Sequence, residues 1–139
     1  MELTAVALQT VAENQNVLFT DTVICGCPSI VHRAGSGLVN LRGLTNQCRA
    51  RFKVSFGANI AIPAGGTVGP ISLAISIDGE PLGSTLMIET PAAAEEFNNV
   101  FSAVFINVPA GCCATVGVRN TSDQAIDVQN ANLIVERVA

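Results

Sequence analysis

Ile71-Ser72-Leu73-Ala74-Ile75-Ser76-Ile77-Asp78-Gly79-Glu80-Pro81 decides the fold class of this chain. Ile71, Leu73, Ile75 and Ile77 alternate with small or polar residues, and a period of two places them on one face of an extended strand. Asp78-Gly79 then supplies turn chemistry, because Gly accepts positive φ and Asp can bond its own backbone, so the chain reverses into residues 82–88. Residues 49–56 repeat the pattern, with Phe52, Val54 and Phe56 on one side and Arg51, Lys53 and Ser55 on the other. Two strands with matching apolar faces require a second layer to cover them.

Working outward, residues 2–10 read as a first strand and 17–20 as a short one, with 21–28 a loop. Residues 29–33 and 37–42 flank the glycines of Ala34-Gly35-Ser36-Gly37 and form a predicted hairpin. The apolar pattern that starts near Cys48 runs on through Ala58, Ile60 and Ile62, and Pro63-Ala64-Gly65-Gly66 breaks it. Residues 82–89, 99–108, 113–119 and 126–138 supply further strands. Thr90-Pro91 carries the only helix-start signature, good for one turn at most. About eight to ten short strands with frequent turn signals predict an all-β sandwich or jelly roll, a single domain over residues 1–139.

The 139 residues are 49% apolar and only 13% charged, against about a quarter charged in an ordinary globular domain. So bland a surface predicts burial against other subunits. The net charge of −4 comes with no dense basic run, which argues against a nucleic-acid partner. No stretch reaches the length of a membrane span. Met1-Glu2-Leu3-Thr4 has no basic region leading into an apolar segment, so synthesis in the cytoplasm is expected, with any external location reached by assembly into a released particle.

The residues offer little chemistry. His32 is the only histidine, and Gly35-Ser36-Gly37 lacks the strand-to-helix setting of a nucleophile elbow. The glycines at 65, 66 and 69 precede no Lys-Ser/Thr pair, so they are turn residues and not a phosphate loop. Glu80, Glu89, Glu95 and Glu96 match no calcium-loop spacing. With no Trp or Tyr, stacking on bases or sugars would fall to six phenylalanines, most of which their alternation assigns to the core. Asn120-Thr121-Ser122 has the glycosylation pattern but reads as a turn. No enzyme, cofactor or metal site is expected.

Five cysteines, Cys25, Cys27, Cys48, Cys112 and Cys113, cannot all pair within one chain. Adjacent Cys112 and Cys113 point to opposite faces of a strand. Reduced thiols are one reading. A disulfide between the Cys25/Cys27 loop and the Cys112/Cys113 turn, within or between subunits, is the other. Cys-x-Cys and Cys-Cys do not fit the usual zinc-knuckle spacing.

Arg49-Ala50-Arg51-Phe52-Lys53-Val54, Ile75-Ser76-Ile77-Asp78-Gly79-Glu80-Pro81-Leu82-Gly83-Ser84 and Ala131-Asn132-Leu133-Ile134-Val135-Glu136-Arg137-Val138-Ala139 carry a resemblance. The chain resembles the C1q/TNF-like jelly-roll domain of bacterial collagen-like exosporium proteins, and similar domains of phage head-fibre and capsid-decoration proteins. The likeness covers residues 48–139 and extends loosely to the first third. No Gly-x-y tract precedes the domain, and the cysteine pairs lie outside the family pattern. The resemblance implies an antiparallel jelly-roll sandwich that forms a homotrimer. A virion-surface decoration, bound to a major capsid protein or another particle-surface protein, is the expected role. A spore-surface domain is the alternative, as is a lectin-like trimer that binds a host-surface glycan or calcium through residues 63–70 and 89–99. Residues 2–10, with Leu3, Ala5 and Ala7, are the candidate attachment strand, because a terminal strand can add to a sheet edge.

Overall fold

A computed structural model describes residues 1–25, 28–43 and 48–139. Its strands are, in order, β1 (Glu2–Ala5), β2 (Gln9–Val11), β3 (Asp21–Ile24), β4 (Ile30–His32), β5 (Val39–Arg42) and β6 (Arg49–Ala61). There follow β7 (Ile71–Ile77), β8 (Glu80–Pro81), β9 (Met87–Glu89), β10 (Asn98–Pro109), β11 (Cys113–Asn120) and β12 (Ile126–Arg137). They form two antiparallel sheets. The first runs β10-β6-β12-β1-β3, with β2 also on β12; the second runs β4-β5-β11-β7-β8, with β9 also on β7.

The expected alternation is realised most fully in β6. Phe52, Val54 and Phe56 are completely buried, while Arg51, Lys53 and Ser55 lie on the outer face. Phe56 meets Phe19 edge-on, with ring centroids 6.3 Å apart, and both belong with Leu3, Leu133 and Ile75 to one core shared by the two sheets. In β7, Ile71, Leu73 and Ile75 are buried as the pattern requires, and so are Ala74 and Ser76. The hairpin turn falls at Asp78 (φ 51°) and Gly79 (φ 85°), the pair of left-handed residues a two-residue hairpin needs.

Several elements differ from the sequence reading. The first strand splits into β1 and β2, because residues 6–8 leave the ladder opposite Asn130, which takes a positive φ of 56°. Residues 17–20 join no sheet, yet Val17 and Phe19 are buried, and it is 21–24 that pair with β1. Residues 82–89 are not one strand. After β8 a single 3-10 turn, Gly83–Thr85, lifts the chain off β7, and the Thr85 hydroxyl fills the gap in the ladder. It accepts from the Ile75 amide at 3.0 Å and can donate to the Leu82 carbonyl at 2.8 Å. Residues 90–96 form no helix; Glu95 takes a positive φ and its amide bonds Ile62 O.

Candidate interaction surface

The strand expected to reach a partner is committed within its own chain. β1 is paired on both edges, to β12 and to β3. Leu3 and Ala5 are buried in the core, whereas Ala7, in the break after β1, is exposed together with Val6 and Leu8. What the first sheet does present is its outer face. On β10 the inward positions are Val100, Ile106 and Val108, and the outward ones include Phe101 and Phe105, which are 67% and 63% exposed. This corrects the assignment of most phenylalanines to the core: Phe19, Phe52 and Phe56 are there, whereas Phe97, Phe101 and Phe105 are exposed. The signal was present, because residues 100–106 are apolar at nearly every position, and a strand apolar on both faces needs cover on both.

Phe101 is the cross-strand partner of Gly57, and its ring lies 3.5 Å from where a Cβ on Gly57 would stand. Beside it runs a row of amides: Asn99 Nδ2 donates to Asn59 Oδ1 at 3.2 Å, and Asn59 Nδ2 to Asn130 Oδ1 at 3.3 Å. Toward the β3 edge of the same face, Met1, Glu2, Ile24, Ile134 and Glu136 line an open hollow of about 220 Å³. Charge is divided across the face. Arg49, Arg51 and Lys53 stand on β6 next to the β10 edge, whereas Glu2 and Asp21 stand on β1 and β3. Glu136 on β12 faces Lys53 directly.

The remaining candidates have local roles or lie elsewhere. His32 Nε2 donates to the Ser36 carbonyl at 2.9 Å, and Nδ1 lies 3.3 Å from the Thr22 hydroxyl. The ring thus ties β3 of one sheet to β4 of the other. Asn120 is completely buried. Its Nδ2 bonds the carbonyls of Val11, Ala12 and Gln124, and its Oδ1 accepts from Ser122 N at 2.9 Å. The amide that glycosylation would modify is consumed inside the fold.

At that end of the sandwich an open groove of about 540 Å³ runs between residues 67–72 and 121–124. Its floor is hydroxyl-rich: Ser72 Oγ is 2.6 Å from Thr121 Oγ1, and Ser122 Oγ bridges the Ser72 amide and carbonyl. Gln124 clamps Thr67 by bonding both its N–H and its C=O. Cys25, Cys48, Cys112 and Cys113 are free and exposed, and Cys27 lies outside the described residues. Among the described residues no three His, Cys, Asp or Glu side chains converge on a metal position.

No protein-family model matches the chain. No curated protein sequence matches it either. Solved structures do. The globular domain of zebrafish complement 1qA superimposes with a TM-score of 0.64 at 12% identity, over 96% of this chain and 93% of that one. Eiger TNF from S. frugiperda gives 0.69 at 16% identity, over 100% and 92%. Murine APRIL gives 0.60 at 12% identity, over 95% and 96%. The fold is a C1q/TNF-like jelly roll. In this C1q/TNF-like domain the expected sandwich and its antiparallel pairing are realised, and the likeness to the solved structures spans nearly the whole chain, including the first third.

Proposed function

We propose that this C1q/TNF-like domain is a non-enzymatic structural module that assembles as a homotrimer through the outer face of its first sheet. The observation that carries this reading is the exposure of Phe101 and Phe105 on an edge strand twelve residues long. A long apolar edge left bare is an aggregation hazard, and a closed ring of subunits removes it. The face has two unlike halves. Its aromatic and basic side lies at β10 and β6, and its hollow and acidic side at β1 and β3. A head-to-tail ring sets the phenylalanines of one copy against the Ile24/Ile134 hollow of the next, and Arg51 and Lys53 against Glu2 and Asp21.

On this reading the trimer decorates the surface of a bacteriophage virion, seated on a major capsid protein or another particle-surface protein, where threefold positions of a lattice match its symmetry. Support comes from the low charge, the bland exterior and the resemblance to capsid-decoration domains. Light scattering on the purified chain is the direct test of assembly: a mass three times that of the chain supports the ring, and a monomer at micromolar concentration sinks it. Decoration is tested by adding the trimer to purified particles that lack it and measuring co-sedimentation.

The groove at residues 67–72 and 121–124 favours a second reading, a trimer that binds a polyhydroxylated ligand such as a host-surface glycan. Its hydroxyls are pre-ordered by their mutual bonds, although no aromatic residue lines it. Binding on a glycan array that is lost in Asp123→Ala would support that reading over decoration alone.

A further inference from the structure

All four described cysteines are exposed, an unusual placement for a residue type that is ordinarily buried. Three of them meet at one end of the sandwich, where β10 crosses to β11 through the turn 109–112. The Cys48 carbonyl accepts from the Ala110 amide at 3.0 Å, and the Gly43 amide donates to the Cys112 carbonyl at 2.9 Å. The turn is therefore gripped from both sides, by the residue just after β5 and by the residue just before β6. Space there is tight: a Cβ on Gly43 would stand 2.0 Å from the Pro109 carbonyl oxygen.

Strand alternation sets one of the three apart. Ala114 faces the core from β11, so Cys113, the first residue of that strand, takes the outward parity. Cys48 lies just before β6 and Cys112 just before β11, and the hydrogen bonds above hold both against this end of the sandwich. Cys48 and Cys112 thus sit on adjoining backbone segments, whereas Cys113 is directed away. We propose that Cys48 and Cys112 are a redox-responsive pair that closes to an intrachain disulfide when the protein leaves a reducing compartment. The bond would tie the entry to β6 to the β10–β11 turn. This pairing differs from a link between the Cys25/Cys27 loop and the Cys112/Cys113 turn, and it does not depend on the oligomeric state.

The oxidant is a low-molecular-weight disulfide such as oxidised glutathione. One cysteine thiolate attacks it, releasing one glutathione thiol and leaving a mixed disulfide; the second thiolate displaces the other glutathione. Two electrons pass from the two cysteines to the glutathione disulfide, and two glutathione thiols result. The test uses the full chain, purified in reductant, then equilibrated with oxidised glutathione, alkylated and mapped by peptide mass spectrometry. The expected result is a Cys48–Cys112 crosslink within one chain, a loss of two free thiols, and a Tm raised by several degrees. Cys48→Ser or Cys112→Ser should abolish both the crosslink and the rise, and Cys113→Ser should keep both. A crosslink from Cys112 to Cys25 or Cys27, a crosslink between chains, or a Cys48 and Cys112 that both remain alkylated would overturn the pairing.

Discussion

β6 and β10 lie side by side along twelve register pairs, from Asn98↔Ile60 to Pro109↔Arg49, and they use phenylalanine in opposite ways. β6 turns Phe52 and Phe56 into the core and leaves Arg51, Lys53 and Ser55 outside. β10 turns Val100, Ile106 and Val108 inward and leaves Phe101 and Phe105 in solvent. Both strands alternate, so alternation alone does not say which face is the interior. The core takes what the opposite sheet leaves room for, and the surplus aromatic area on β10 stays exposed.

The contrast can be broken most severely from the inside. Phe56→Ala removes a fully buried ring that meets Phe19 edge-on, and it should cost about 3–5 kcal/mol in denaturant unfolding. A loss below about 1 kcal/mol would mean that β6 is not the inner strand described. Next comes the buried side-chain amide of Asn120. Asn120→Ala strips partners from Val11, Ala12, Gln124 and Ser122 and should destabilise by about 2–3 kcal/mol, seen as a lower midpoint with an unchanged denaturant slope. The outer face should respond differently. Phe105→Ala is expected to change the folding stability of the isolated chain by less than about 0.5 kcal/mol, while weakening self-association by about 2 kcal/mol, roughly thirtyfold. Light scattering over a dilution series separates the two, and equal effects on both would erase the distinction between core and contact phenylalanines. The smallest effect belongs to the second sheet. Thr85→Val removes the hydroxyl that completes the β7 ladder without changing side-chain volume, at a cost of about 1 kcal/mol, readable in thermal unfolding.

The candidate surface was only partly legible in advance. Low charge raised the expectation that some surface is covered, but in the strand singled out for contact, residues 2–10, both edges of β1 are already paired and Leu3 and Ala5 face the core. For Phe101 and Phe105 the signal was partial: residues 100–106 are apolar at nearly every position, which says that both faces need cover but not which of them is the interior. Similarly, the string Asn120-Thr121-Ser122 carries no mark of burial. Only the convergence of residues 11–12 and 124 on the Asn120 amide shows that it is structural.

By itself the sequence determined the local elements whose cause is local. A period of two made strands of 49–61 and 71–77, Asp78-Gly79 supplied two consecutive left-handed conformations, and Pro63-Ala64-Gly65-Gly66 ended β6. The tertiary structure alone decided which strands are central and which face of β10 is bare. Those outcomes depend on pairing between residues far apart in the chain, such as Glu2 with Ile134 or Arg49 with Pro109. Such pairing is set by the packing of both sheets at once, and no window of neighbouring residues contains it.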